Sequence, residues 1–218
     1  MTADAPRSYY SEGLIEEAVQ ENQRKLASEP GNHLLRCSLA NGLVRLGKFE
    51  EAIEHYQKCI ELSPSSEYWN NLGKALLNAG RYQEAVDAFA KVIEKQRWPD
   101  AFFHQAQAYR SLGMLEKAND QLCEAVKLNP KYREALNERA HILEALNRKD
   151  EALNEYKKVI ALFFAEYQAQ DAEDYCYETS VLLDNSDLVE ELIRQLRRYI
   201  QKYPGFADGY YKLGQALE

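Results

Sequence analysis

The chain has 218 residues, 45% of them hydrophobic and 28% charged, with 10 Gly and 6 Pro. That is too apolar for a disordered chain and too poor in turn residues for an all-β one, which leaves one or at most two helical domains. Twenty-seven Lys and Arg against 35 Asp and Glu give a formal charge of −8, which argues against nucleic acid and anionic membranes as partners.

Residues 1–11 show neither a basic stretch before an apolar one nor any periodicity, so they read as a flexible tail and not as a secretory signal. Residues 14–28 read as a single helix that must stop before Pro30. From 33 to 165 the chain repeats itself. Ala52, Ala85, Ala118 and Ala152 are spaced 33, 33 and 34 residues apart, and four residues after each stands Tyr56, Phe89, Leu122 or Tyr156. Gly47, Gly80 and Gly113 precede the first three alanines by five residues. Asn147, the residue that next best tolerates left-handed backbone angles, takes the fourth place. Pro30, Pro64, Pro130 and Pro204 fall near unit ends.

The regularity fades after Tyr156, where Leu192 and Leu196 stand in the Ala and aromatic places and Ala152 to Leu192 spans 40 residues. The excess predicts a lengthened helix over 151–167, then helices over 173–183 and 188–203 as a degenerate repeat within 173–206. A last isolated helix is predicted over 207–217. Its Tyr210, Leu213 and Leu217 would lack a partner helix, so the chain reads as cut from a longer protein or as docking at that end.

The pattern resembles the tetratricopeptide repeat, whose 34-residue signature is W-x2-L-G-x2-Y, then A-x3-F, then P. The second unit carries Trp69, Leu72, Gly73, Ala85 and Phe89, with Leu76 in the Tyr place. The first has Arg36 in the Trp place but keeps Leu39, Ala40, Leu43, Ala52, Tyr56 and Pro64. The third offers Phe102, Ala106, Tyr109, Ala118, Leu122 and Pro130, and the fourth Leu136, Ala140, Leu143, Ala152 and Tyr156. The resemblance implies an all-α fold, a right-handed α-solenoid of stacked antiparallel helix pairs over 12–218, with four clear repeats at 33–165 and partial repeats at both ends.

No catalytic signature is present: no P-loop, GxGxxG, GxSxG or HExxH. Repeat stacking would bring His104, Glu138 and His141 together, but a ligand trio without a further matching motif reads as a solvated polar groove, so no metal or cofactor is expected. Cys37, Cys59, Cys123 and Cys176 form no CxxC pair and read as reduced thiols of a cytoplasmic protein, with none expected to be a nucleophile. The longest apolar run, 159–165, is far too short to cross a membrane.

The resemblance implies a concave groove lined by the first helix of each unit. It would comprise Leu34, Cys37, Ser38, Asn41 and Arg45, then Asn70, Asn71, Lys74 and Asn78, then Phe103, His104, Gln107 and Arg110, then Asn137, Glu138, His141 and Glu144. Amide side chains carry both donor and acceptor, so the asparagines could bind an extended peptide backbone whatever its sequence. The family branch that clamps a terminal carboxylate has cations where this chain has Cys37, Asp100 and His104, and an acid there would repel such a ligand. Nine acids and no Lys or Arg lie between Lys158 and Arg194. With Tyr167, Tyr175, Tyr177 and Glu178 they read either as an acidic aromatic groove end for basic peptide residues, or as a face balanced by Arg194, Arg197, Arg198 and Lys202.

The sequence therefore reads as a non-catalytic scaffold that holds a peptide or helical segment of a protein partner, with no nucleic acid and no membrane insertion. Two alternatives stay open: the substrate-recruiting region of a larger enzyme such as a glycosyltransferase or peptidase, and self-assembly through the open C-terminal helix.

Overall fold

The computed structural model describes residues 6–166 and 186–202, with positions 210, 213, 214 and 216 beyond them. Among these residues there are ten helices and no strand. They are α1 (Pro6–Ser28), α2 (His33–Arg45), α3 (Phe49–Leu62), α4 (Ser66–Asn78), α5 (Tyr82–Lys95), α6 (Pro99–Ser111), α7 (Leu115–Leu128), α8 (Arg133–Ala145), α9 (Lys149–Glu166) and α10 (Ser186–Lys202). They fall into two compact units, 1–128 and 129–218.

Four turns are built alike. Gly47, Gly80 and Gly113 have φ of 73°, 77° and 74°, and Asn147 has 60°. In the first, Gly47 N–H donates to Val44 O (3.0 Å) and Lys48 N–H to Leu43 O (2.9 Å), the Schellman closure of a helix C-terminus. The same two bonds recur from Gly80 and Arg81, from Gly113 and Met114, and from Asn147 and Arg148. The residue that completes each closure also starts the next helix, because Ala52, Ala85, Ala118 and Ala152 donate their N–H to Lys48, Arg81, Met114 and Arg148 O. With no slack in the turn, the two helices of a pair must run antiparallel in one register.

That register sets the core. Ala52, Ala85, Ala118 and Ala152 are at most 1% exposed, and so are Ala40, Ala106 and Ala140. Small residues at both places bring the paired helices close, and Tyr56, Phe89, Leu122 and Tyr156 fill the space beside them. Gly73 is needed where it stands: a Cβ there would lie 2.7 Å from the Phe89 ring. In the first unit each helix from α1 to α7 packs on the next, and α4 also meets α6, giving an α-solenoid of stacked antiparallel pairs. In the second unit α8 packs on α9 and α9 on α10, with Leu196 and Ile200 of α10 buried.

The ends differ from expectation in detail. The first helix begins at Pro6, inside the stretch read as a tail; proline suits a first helical position, where its missing N–H would have no partner. Val19 and Leu26 of α1 are buried, while Leu14, Glu16, Glu17, Gln20, Gln23 and Arg24 are exposed. The lengthened helix runs Lys149–Glu166 and the later one Ser186–Lys202. The helix expected over 173–183 lies outside the described residues. In the Trp place, Arg36 Nη2 donates to Pro30 O (2.6 Å), tying the α1–α2 loop to α2.

The turns can be tested by denaturation. Nothing stands within 4 Å of a Cβ on Gly80, so Gly80→Ala strains only the backbone and is expected to cost about 1–2 kcal/mol in urea unfolding. Asn147→Gly is expected to stabilise, by up to about 1 kcal/mol. Gly73→Ala gains about 1 kcal/mol of helix propensity but overpacks Phe89 at about 1–3 kcal/mol, a net loss. Adding Phe89→Leu, the pairing seen at Ala106 and Leu122, is expected to recover most of that loss in a double-mutant cycle.

Candidate functional site

In the first unit residues of α2, α4 and α6 expected to line a groove meet on one face, where Asn71 bonds Cys37 and Lys74 acts on His104. Asn41, Lys74 and Gln107 hold the same register, 33 residues apart. Beside them lie Cys37, Asn70 and Phe103, then Ser38, Asn71 and His104. Tyr56 reaches this face from α3: its hydroxyl donates to Asn41 Oδ1 at 2.5 Å, and Asn41 Nδ2 faces Cys37 Sγ at 4.0 Å. Burial is the main reason the Tyr56 hydroxyl is held far above its ordinary pKa.

Cys37 is buried, and its thiol is pushed up first by burial and then by Glu67, against a hydrogen bond from Asn71 that stabilises the thiolate. Cys59 is fully buried and pushed up to about 11 by burial; its Sγ–H donates to His33 O (3.4 Å). Neither is an activated nucleophile, since that chemistry needs a thiolate near neutral pH. Ser38 does not stand open to a ligand alone, because Asn22 Nδ2 of α1 donates to its Oγ (3.1 Å).

Asn70, Asn71, Lys74, Phe103, His104 and Gln107 are half-buried. The Asn70 Oδ1 atom is shielded from solvent and has no hydrogen-bond partner. His104 stacks on Phe89 (centroids 5.8 Å apart, planes at 24°) and meets Phe103 edge-on (5.3 Å). Its Nδ1–H donates to Gln107 Oε1 at 3.0 Å, since an amide oxygen can only accept. Burial holds the His104 pKa below its usual value; Lys74 acts in the same direction, and Gln107 and Asp100 oppose it. The ring is therefore neutral at pH 7.

In the second unit the corresponding register carries His141, which is exposed, as is Asn137; Glu138 is half-buried. Tyr156 repeats the part played by Tyr56. Its hydroxyl donates to Glu144 Oε2 (2.9 Å) and accepts from His141 Nδ1–H (2.9 Å). Below this face Arg139 Nη1 and Lys158 Nζ both donate to Glu155 Oε1 at 2.8 Å; Glu155 is buried, Lys158 is exposed, and Arg139 stands in the place of Leu39 and Leu72 in the first two repeats. Exposed Arg197 and Arg198 line α10. Tyr177 and Glu178 lie outside the described residues, as do Asp171, Glu173, Asp174 and Asp184 of the nine acids between Lys158 and Arg194. Of the last predicted helix, Tyr210 is exposed and Ala216 buried.

His104 belongs to the first unit and Glu138 and His141 to the second; among the described residues no group of three His, Cys, Asp or Glu is placed to hold a metal ion. No described helix is long and apolar enough to cross a membrane. The two tyrosine hydroxyls escaped sequence reading, although a signal existed: Tyr56 and Tyr156 stand where Phe89 and Leu122 show that no hydroxyl is needed for packing. A cleft of about 250 Å³ beside Trp69, walled by α3 and α5, was also unforeseen.

Known proteins carry the same architecture. The solved structure of MamA superposes with a TM-score of 0.68 at 23% identity, covering 77% of this chain and all of that one. The 41-end segment of MamA from Desulfovibrio magneticus RS-1 gives 0.68 at 20% identity, over 72% and 89%. TTC0263, a thermophilic TPR protein of Thermus thermophilus, gives 0.54 at 20% identity, over 85% and 98%. At these identities the likeness is one of fold. In sequence, 58 residues are 42% identical to the TPR repeat-containing protein PA0015 of Pseudomonas aeruginosa, 26% of this chain and 55% of that protein. The chain thus spans about half the length of the curated relative it matches. The family model described as tetratricopeptide repeat matches residues 37–102 and 103–172, more than half of the chain. With four identical left-handed turns and their alanine register, this places the chain in the tetratricopeptide repeat family.

Proposed function

We propose that the chain is a non-catalytic protein-interaction scaffold in which the face shared by α2, α4 and α6 receives an extended peptide or a helical segment of a partner. The observation that carries this reading is Asn70. A shielded amide oxygen without a partner costs about 1–3 kcal/mol unless something donates to it. A backbone N–H of an extended peptide is the donor that would do so, and Asn41, Lys74 and Gln107 beside it are polar groups with no core to fill. The buried free thiols of Cys37 and Cys59 fit a reducing, cytoplasmic setting. The same reading gives the acidic run between Lys158 and Arg194 to basic residues of the partner, on the sequence alone.

The experiment compares immobilised wild type, the Asn70→Ala/Asn71→Ala double variant and Lys91→Gln, which alters an exposed residue of α5, for capture of partners from source lysate. Proteins held by wild type and by Lys91→Gln are expected to be lost from the double variant, which should be no less stable than wild type in urea unfolding, because Asn70→Ala removes the unpaired oxygen. Retention of the same proteins by all three would move the binding surface off this face.

A further inference from the structure

Trp69 is less covered than the residues at its place in the next two repeats. Phe102 is 4% exposed and Leu136 fully buried, whereas Trp69 is half-buried and borders the cleft of about 250 Å³. The cleft has a cause in the sequence. Its α5 wall contains Ala88, and the same place holds His55 in the first repeat, Gln121 in the third and Glu155 in the fourth. A methyl group stands where longer side chains occur elsewhere.

The lining also differs in kind. In each of those three repeats the polar residue is accompanied by another on the first helix of its pair, Arg36, Gln105 or Arg139 in the places of Trp69 and Leu72. In the second repeat both helices are apolar there: Trp69, Leu72 and Leu76 of α4 and Ala88 of α5 form the floor. The rim is polar, with Gln57 of α3 and Glu84, Asp87 and Lys91 of α5. Arg81 bonds Glu84, and Lys91 lies 3.7 Å from Glu94. Among the described residues Asp87 is bonded by no ion, only by Gln83 Nε2 at 3.4 Å.

We propose that this cleft is a socket for one large apolar side chain of a partner protein, carried on a segment that also presents a Lys or Arg to Asp87. The volume is that of a single side chain; small-molecule sites run to about 300–1,000 Å³. An apolar anchor set in a pocket with a polar rim is the kind of contact that dominates affinity at protein interfaces, and an aromatic anchor gains further from the Trp69 ring. A basic neighbour answers Asp87 and suits a chain of formal charge −8. The socket shares no residue with the face of α2, α4 and α6. Holding one side chain, it adds to the grip of a larger partner and does not by itself retain a protein through washing.

Nuclear magnetic resonance of the isotope-labelled chain tests this, because its two tryptophans give two indole N–H signals, distinguished by Trp98→Phe. The probe is a pool of short helical peptides of Ala and Gln, each with one central Phe and an Arg one helical turn to either side. The Trp69 signal is expected to shift on titration and the Trp98 signal to stay. Changing Phe to Ala in the pool should weaken binding about thirty-fold, the scale of burying one such side chain. Changing Arg to Glu should weaken it about five-fold, less so as salt is raised. Ala88→Gln, which installs the residue of the third repeat, should fill the socket and abolish the shift. Asp87→Asn should remove most of the preference for Arg over Glu; it alters an exposed side chain, so it decides the matter even if Ala88→Gln disturbs packing. Asn70→Ala/Asn71→Ala should bind the pool as wild type does. Absence of a Trp69 shift, a shift that survives in folded Ala88→Gln, equal binding of the Phe and Ala pools, or an Arg preference untouched by Asp87→Asn overturns the proposal. Loss of binding in the double asparagine variant would place the peptides on the other face and overturn it as well.

Discussion

The structure depends on a backbone constraint of one residue per pair. A helix that ends in a left-handed residue closes its last carbonyls with the next two N–H groups, and here the second of those residues already starts the following helix. Gly meets the requirement without cost at 47, 80 and 113, and Asn147 meets it because a short polar side chain tolerates that region better than others do. The turn therefore works as a fixed bracket, and the packing of each pair is set by it.

From the bracket follow both the core and the free face. Antiparallel helices in a set register place Ala against small residues and direct Tyr56, Phe89, Leu122 and Tyr156 into the gap beside them. The sides of α2, α4 and α6 turned away from their partner helices have no core to fill, so they accept polar residues at little cost to stability. Tyrosine in place of phenylalanine links the two layers. The ring of Tyr56 belongs to the core, while its hydroxyl reaches the face and fixes Asn41.

The same register also shows where the interior changes character. At the place held by Leu39 and Leu72 the third repeat has Gln105, whose Nε2 donates to Val86 O (3.0 Å), and the fourth has Arg139 paired with Glu155. A buried ion pair contributes little net stability but is costly to break by halves, so it specifies its neighbours more than it strengthens them. This part of the chain departs from the apolar pattern while its turn, at Asn147, keeps the common geometry.

The sequence by itself determined the repeats, their turns and the small-residue places, because these are local demands of φ and of volume that recur at a fixed spacing. It also determined which helix faces are polar, since a face without a core shows as a register of Asn, Lys, Gln and His. What it could not contain was the pairing of those side chains. That Asn41 is pinned by Tyr56 and Gln107 by His104, and that Cys37 is buried and protonated, follow from distances between groups on different helices, or from rotamers within one. Residue type states what a group can bond, and only the tertiary structure decides which of its atoms is already taken.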